Sequence, residues 1–312
     1  MALLVVFAIS KLFNRFQASD ILDIAGIVGG KTLKIIISIA YIILFLIITL
    51  ITLRYITEFL KLIYFQNLSI IFLSLLFLVP MAISVQKGIK SISKVNLFVT
   101  ILSFITIFIL FIGSVSRFVP QRALPIFGTG IDKVLFTNLT NIFAFSGIAY
   151  LMFLMPLLKN TKEFKQIAII SVVLSSIYLF ISVMCLLFVF AFMTMTQDLF
   201  SVFLLTRIVE YAPILERTDA IYIFFWLFCI LSFLSANLFF IVQSFGKITK
   251  LKNSNAMIYN FCAIILGITI IVDDVSIYYV LYNSIFTWFF IILIAISIIL
   301  LLLANIKDRK KL

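Results

Sequence analysis

The sequence contains no histidine, and this absence removes several kinds of chemistry. Imidazole proton relays, histidine-ligated metal sites and nucleophiles activated by histidine are all excluded. Only three cysteines occur, Cys185, Cys229 and Cys262, each inside an apolar run and without CxxC spacing. They are interpreted as small buried side chains rather than as a disulfide or a metal site. No cofactor and no metal is therefore expected.

Charged residues are also scarce, at 12% of the 312 residues, whereas 64% are hydrophobic. A soluble globular chain has about 25% charged and about 45–50% apolar residues. The apolar excess is too large to be buried in a core of this size. A soluble enzyme and a nucleic-acid-binding protein are excluded, even though the net charge is +12. The composition predicts an all-α, polytopic helix bundle in a lipid bilayer.

Apolar runs define the candidate membrane spans, since a spanning helix needs about 20 apolar residues. They cover 1–10, 35–53, 68–86, 95–113, 134–158, 167–195, 219–245, 257–272 and 278–304. The first run is short and has no positively charged start or cleavage site, so it is interpreted as part of a helix whose beginning is missing. The polar stretch 11–34 is predicted to be a loop with a short surface helix from Ser19.

The whole chain, 1–312, is interpreted as a single transmembrane domain. First-half helices occupy 1–113, a connection with two prolines covers 114–133, second-half helices occupy 134–304, and a tail covers 305–312. Many transporters consist of two five-helix repeats of inverted topology. Four apolar runs precede the connection and five follow it. This is the count expected of such a protein without its first helix.

Basic residues are concentrated in alternate connections, which hold 17 of the 24. These are Lys11, Arg15, Lys31, Lys34, Lys87, Lys90, Lys94, Lys159, Lys162, Lys165, Lys247, Lys250, Lys252, Lys307, Arg309, Lys310 and Lys311. The positive-inside rule places this set, and the C-terminus, on the cytoplasmic side. All other charges, Arg54 and Lys61 included, are expected in loops or at helix ends. Asp273 and Asp274 are interpreted as an outer turn.

The segment 134–158 has the most informative interior, because Ser146 and Gly147 lie near its centre and Pro156 lies toward its end. Small residues and proline mark helix kinks, and a helix broken at mid-membrane offers backbone groups to a ligand. The alternative is that Gly147 only lets a neighbouring helix approach closely. Both interpretations stay open. Serines at depth are expected to bond back to their own helix, whereas Asn237 is less easily satisfied that way.

Three stretches resemble the B subunits of spore germinant receptors, a family of the amino acid–polyamine–organocation superfamily. They are LPIFGTGIDKVL (124–135), AFSGIAYLMFLMPLLKN (144–160) and LERTDAIYIFFWLF (215–228). The resemblance implies a 5+5 inverted-repeat, LeuT-like transporter fold, here with the first helix missing and the second truncated. It also implies a multi-pass protein of the spore inner membrane or cell membrane, in complex with A-type and C-type receptor subunits.

The same resemblance implies that the protein senses a small amino-acid-like germinant among helices one, three, six and eight of the fold. Helix three corresponds to 35–53, helix six to 134–158 and helix eight to 219–245. The implied ligand-binding residues are Phe145, Ser146, Gly147, Tyr150, Tyr41, Ser232 and Asn237; Ser146 and Gly147 belong to a motif and the others are chosen by depth. The alternatives are an amino acid permease and a truncated, non-binding scaffold subunit. An enzyme is not expected, because no nucleophile–base pair is present.

Overall fold

The structure is a computed structural model that describes residues 2–124, 130, 144–191, 201–209, 218–251, 255–271 and 285–309. Over these ranges all the regular secondary structure is helical. The α-helices are α1 (Ala2–Leu12), α2 (Ile21–Ile63), α3 (Ile70–Gln86), α4 (Ile89–Ser114), α5 (Ile148–Leu154), α6 (Thr161–Val189), α7 (Ser201–Ile208), α8 (Thr218–Thr249), α9 (Asn255–Ile271) and α10 (Thr287–Arg309). Short 3-10 turns follow α1, α4 and α5.

Five helices are long and apolar enough to cross a membrane, as the composition predicts. They are Ile21–Ile63, Ile89–Arg117, Thr161–Val189, Asp219–Thr249 and Thr287–Lys307, and three shorter apolar helices accompany them. The chain is therefore a multi-pass membrane protein. The most apolar windows of α2 and α8 are 44% and 56% buried, whereas those of α4 and α6 are 22% and 17% buried. Because α2 and α8 are the more enclosed helices, polar groups on them are shielded from the surroundings.

The contacts divide the chain into two compact units. Unit 1 comprises Met1–Ile89, Asn138–Val173 and Leu234–Leu312, and unit 2 comprises Lys90–Thr137 and Leu174–Phe233. In unit 1, α2 packs against α3, α9 and α10, and α1 packs against α10. In unit 2, Leu205 of α7 is buried with Cys185 and Leu186 of α6. Unit 1 holds most of the polar contacts between helices that are described below.

Helix α2 is much longer than the predicted span 35–53. Its 43 residues include Arg54, so the expectation that Arg54 lies in a loop or at a helix end is wrong, whereas Lys61 is in the last turn of the helix. The reason is that the part from residue 31 to 63 is about 50 Å long at 1.5 Å per residue, whereas the hydrocarbon layer is about 30 Å thick. The helix can therefore continue beyond the apolar layer with charged residues in its last turns.

Arg54 is buried inside this last part of α2, with 2% of its side chain exposed. Its Nη1 donates to the carbonyl oxygen of Thr269 in α9 at 3.2 Å. Its Nη2 lies 3.3 Å from Oε2 of Glu58, one turn further along α2. The guanidinium thus combines a hydrogen bond with an ion pair, which offsets part of the cost of burying an arginine here.

The start of α2 is a separate short helix, residues 21–28, which we call the short helix. Asp20 is its N-cap, and its carboxylate accepts hydrogen bonds from the backbone N–H groups of Leu22 and Asp23, both at 3.1 Å. A helix from about Ser19 is confirmed, but it does not simply lie on a surface. Four of its residues have no exposed area: Ile21, Leu22, Ile24 and Ala25.

A kink at Gly29 and Gly30 separates the short helix from the rest of α2. Gly30 has φ 71° and ψ −162°, a conformation that is essentially restricted to glycine. Gly29 has φ −127° and ψ 17°, which also departs from helical values. The pair of glycines therefore allows the chain to change direction within what would otherwise be a continuous helix.

Asp20, Asp23, Lys34 and Lys247 form an ion cluster at this kink. The Lys247 Nζ donates to Oδ2 of Asp20 at 2.6 Å and also to Oδ2 of Asp23. The Lys34 Nζ donates to Oδ1 of Asp23 at 2.8 Å. Asp20 is fully buried, and burial raises the pKa of its carboxyl while the ammonium of Lys247 acts in the opposite direction. Two acids and two bases thus compensate each other across the kink and the end of α8.

The end of α10 holds the other end of the short helix. The Lys307 Nζ donates to the carbonyl oxygen of Ile27 at 2.8 Å, so it satisfies a backbone acceptor at the C-terminus of the short helix. Asn305 donates from Nδ2 to the carbonyl oxygen of Leu12 at 2.9 Å. Residues from three of the basic connections, 11–34, 247–252 and 307–311, therefore meet at one end of unit 1, which we call the basic end.

Candidate functional site

A hydrogen bond between α5 and α8 joins two of the predicted site residues. The Tyr150 hydroxyl donates to Oδ1 of Asn237 at 2.6 Å. Asn237 has no exposed area, and its Nδ2 has no hydrogen-bond partner among the residues that the structure describes. A buried donor without an acceptor costs about 1–3 kcal/mol. Asn237 is therefore the position in this region where an incoming acceptor would gain most.

Tyr41 of α2 is connected to the Tyr150–Asn237 pair by a group of packed aromatic rings. Its ring contacts Phe153 edge-to-face, with centroids 5.0 Å apart. Phe45, one turn further along α2, stacks on Tyr150 at 5.6 Å, and Tyr150 stacks on Phe240 at 5.2 Å. Such ring pairs contribute about 0.5–1.5 kcal/mol beyond the area they bury. The aromatic cluster of Tyr41, Phe45, Tyr150, Phe153 and Phe240 therefore fixes α2, α5 and α8 relative to one another in unit 1.

The Tyr41 hydroxyl also connects α2 to α10. It lies 2.7 Å from the Ser297 hydroxyl, and both residues are fully buried. Ser297 in turn donates to the carbonyl oxygen of Leu293 in its own helix at 2.8 Å. Tyr41 is thus held by a polar contact as well as by the rings.

Ser146 and Gly147 precede α5 instead of lying inside an α-helix. Phe145 lies in a 3-10 turn, Ser146 and Gly147 form a turn, and the α-helix begins at Ile148. A Cβ added to Gly147 would meet only ring carbons of Tyr150 at 3.8 and 3.9 Å in the described part of the chain, which is ordinary contact. No close helix approach at Gly147 is visible there. A 3-10 turn and a following turn, residues 144–147, lead into the helix that carries Tyr150.

Ser232 is directed away from Asn237 along the same helix. The two positions are five residues apart, which corresponds to about 140° around an α-helix. The Ser232 hydroxyl hydrogen-bonds Oδ1 of Asn96 on α4, and both residues belong to unit 2. Ser38 bonds back to the Lys34 carbonyl oxygen as predicted, whereas Ser232 bonds another helix. Tyr41, Tyr150 and Asn237 therefore share one contact network in unit 1, and Ser232 has its own partner in unit 2.

Sequence reasoning missed Phe45, Phe153, Phe240 and Ser297. The three phenylalanines could not be selected, because the chain has 36 of them spread through nearly every span. Ser297 did carry a signal, since it is the one polar residue of the stretch 289–304. Other features of the sequence lie outside the described residues: Glu216 and Arg217 of the stretch 215–228, and the predicted outer turn at Asp273 and Asp274.

The side chains of this network are uncharged and combine hydrogen-bonding groups with aromatic rings. Small-molecule sites are typically built from such apolar and aromatic side chains with a few polar groups. Long apolar helices around an uncharged polar network define the class of the protein as a multi-pass membrane helix bundle.

The comparison with known families agrees with this class. The chain matches the family of spore germination proteins over residues 1–278, and it belongs to that family. The family consists of permease-like membrane proteins and is not an enzyme family. The resemblance inferred from the sequence is thereby confirmed. No curated protein matches the chain closely enough to count as a relative.

Proposed function

We propose that the protein is the membrane subunit of a germinant receptor that senses a small amino-acid-type ligand. Membership of the spore germination family supports a role in germination. The receptor acts in the spore inner membrane, together with A-type and C-type subunits. Ligand binding shifts the population of two arrangements of the helices, and the partner subunits respond to that shift.

The observation that carries the proposal is the buried amide of Asn237. Its Oδ1 accepts from Tyr150, which leaves Nδ2 as a buried donor with no acceptor in the described chain. The carboxylate of an amino acid is an acceptor that would satisfy it. Hydrogen bonds to a charged group contribute about 1.5–3 kcal/mol, so this one contact favours an anionic acceptor.

We also propose that the single transmembrane domain is a LeuT-like 5+5 inverted repeat. The apolar runs on either side of the 114–133 connection support the two halves, 1–113 and 134–304. The basic end of unit 1 supports the cytoplasmic assignment of the C-terminus, because basic residues near α2, α8 and α10 meet there. The polar contacts Tyr41–Ser297 and Tyr150–Asn237 then lie within the bundle, where transporters of this class bind their substrates.

Substitution of Asn237 tests the proposal in spores. Germination is followed as the loss of optical density with individual L-amino acids, for the parent and for Asn237→Ala. Loss of a hydrogen bond to the ligand carboxylate is expected to raise the half-maximal concentration about ten- to hundredfold. An unchanged dose response at equal protein abundance would overturn the proposal.

A matched control is Asn305→Ala, since Asn305 bonds only backbone carbonyls of Leu12 and Leu301 among described groups. This variant is expected to keep the parental dose response once its abundance is matched by immunoblot. The permease alternative is tested by deleting the gene. If uptake of a labelled amino acid falls while amino-acid-triggered germination stays intact, the protein is a transporter and not the receptor.

A further inference from the structure

The short helix, residues 21–28, is held at both ends by charged side chains from other helices. At its N-terminus, Asp20 is buried and bonds the Lys247 ammonium of α8 at 2.6 Å. At its C-terminus, the Lys307 ammonium of α10 bonds the carbonyl oxygen of Ile27 at 2.8 Å. Both contacts join the short helix to the basic end of unit 1. Neither contact involves a residue of the candidate ligand site.

The chain on either side of the short helix is not α-helical. Residues 13–20 form a 3-10 turn followed by irregular backbone, and the glycine kink follows residue 28. A helix between two irregular segments can move as a unit, because a few residues absorb the change in backbone angles. The short helix therefore has the connections that a movable element requires.

The ion pairs that hold the short helix are partly exposed to water and can break. The side chains of Lys247, Asp23 and Lys34 are 26%, 32% and 28% exposed, so water can replace their partners. Asp20 and the apolar residues on the inner face of the short helix are fully buried in the arrangement described here. Opening would expose a carboxylate, an ammonium and an apolar surface together.

We propose that Asp20, Asp23, Lys34, Lys247 and Lys307 form an ionic latch that holds the short helix closed on the basic end of unit 1. The latch opens by rotation of the short helix about Gly29 and Gly30. It is a conformational device whose residues lie outside the candidate ligand site. Removal of Lys247 opens it most, because Asp20 then remains as a buried carboxylate without its cation.

The latch also has a mechanical connection to the candidate site, and this part rests on the proposed function. Lys247 lies ten residues after Asn237 on α8, and Lys307 lies ten residues after Ser297 on α10. Ten residues of α-helix correspond to about 15 Å. A rigid shift of α8 caused by a ligand at Asn237 would displace the ammonium that holds Asp20.

Cysteine labelling measures the opening directly. Ala25 has no exposed area in the closed arrangement, so Ala25→Cys reports exposure of the buried face of the short helix. The background is the full chain with the native cysteines replaced by alanine: Cys185, Cys229 and Cys262. The rate of reaction with a membrane-impermeant maleimide is measured in unsealed membrane sheets, where both faces are accessible and no ligand is present.

Lys247→Met is expected to increase the labelling rate about tenfold or more, because local opening becomes more frequent. The matched control Lys250→Met removes an exposed lysine three residues further on and is expected to leave the rate within about twofold, as surface substitutions usually do. The double variant Asp20→Asn/Lys247→Met is expected to label more slowly than Lys247→Met. Asparagine keeps the N-cap and removes the uncompensated charge.

Labelling of Lys247→Met at the parental rate would overturn the latch, and so would a double variant that labels no more slowly than the single one. If Lys247→Met does not accumulate in membranes, the labelling rate of Lys307→Met is measured instead, since this variant releases the other end of the short helix. A rate above that of the parent supports the latch, and the parental rate overturns it. Saturating proteinogenic L-amino acids are then added to the parent. A changed labelling rate supports the connection to the ligand site, and an unchanged rate overturns that connection alone.

Discussion

Substitution of Gly30 is the sharpest test of the kink in α2, because an added Cβ would strain the backbone there without clashing with neighbouring atoms. Its φ of 71° and ψ of −162° lie in a region essentially restricted to glycine. A Cβ added there would meet nothing within 4 Å. Gly30→Ala therefore adds backbone strain without a clash, and such strain costs about 1–3 kcal/mol.

Gly26→Ala is the matched comparison within the short helix. Its Cβ would lie 3.5 Å from Cδ of Lys34, which is ordinary contact. Replacing a helical glycine by alanine stabilises by about 0.5–1 kcal/mol. The two variants, identical in composition, should therefore differ in unfolding free energy by about 1.5–4 kcal/mol, the sum of the two effects.

The assay is unfolding of the purified protein in mixed micelles, with increasing mole fraction of sodium dodecyl sulfate and tryptophan fluorescence as the signal. The expected order of midpoints is Gly26→Ala at or above the parent and Gly30→Ala below it. If Gly30→Ala unfolds at the same midpoint as Gly26→Ala, the left-handed kink is not part of the folded state, and the reasoning is refuted.

Two further substitutions test the contacts between helices in the same micelle assay. Tyr41→Phe is expected to lower the unfolding free energy by about 0.5–1.5 kcal/mol, because it removes the bond to Ser297, which keeps a bond within its own helix. Arg54→Met is expected to lower it by about 1–3 kcal/mol, because it removes a charge-assisted bond to the Thr269 carbonyl and leaves Glu58 without its cation.

Each of these predictions has an internal control. Ser297→Ala and Tyr41→Phe break the same bond, so the double variant should be little less stable than either single one; additive losses would contradict the shared bond. For Arg54, Glu58→Gln combined with Arg54→Met should recover part of the loss. A single variant Arg54→Met within about 0.5 kcal/mol of the parent would show that the buried contacts contribute nothing.

Much of the fold follows from the sequence because membrane insertion depends on local composition. Apolar runs of sufficient length predict spanning helices, and the helices Ile89–Ser114 and Thr161–Val189 appear where the runs at 95–113 and 167–195 predict them. The helix bounds were less predictable. Arg54 and Lys61 look like loop residues in a hydropathy profile, but a helix longer than the apolar layer includes them.

The candidate site was only partly predictable, for a related reason. Tyr41, Tyr150 and Asn237 stood out as polar residues in apolar runs, which is a local signal. Their partners carried little or none, since Phe45 and Phe240 are two of 36 phenylalanines. Ser232 was chosen for its depth, as Asn237 was, yet the helix directs it to Asn96 instead.

The sequence by itself determined that the chain is helical, membrane-spanning and related to spore germination proteins, because hydropathy, charge distribution and motifs are properties of short segments. Only the tertiary structure decided which polar groups meet. Tyr41 bonds a serine 256 positions away, and Lys247 bonds a carboxylate 227 positions away. Such pairs form because burial in an apolar bundle is costly for an unpaired polar group, so the packing of the helices selects the partners.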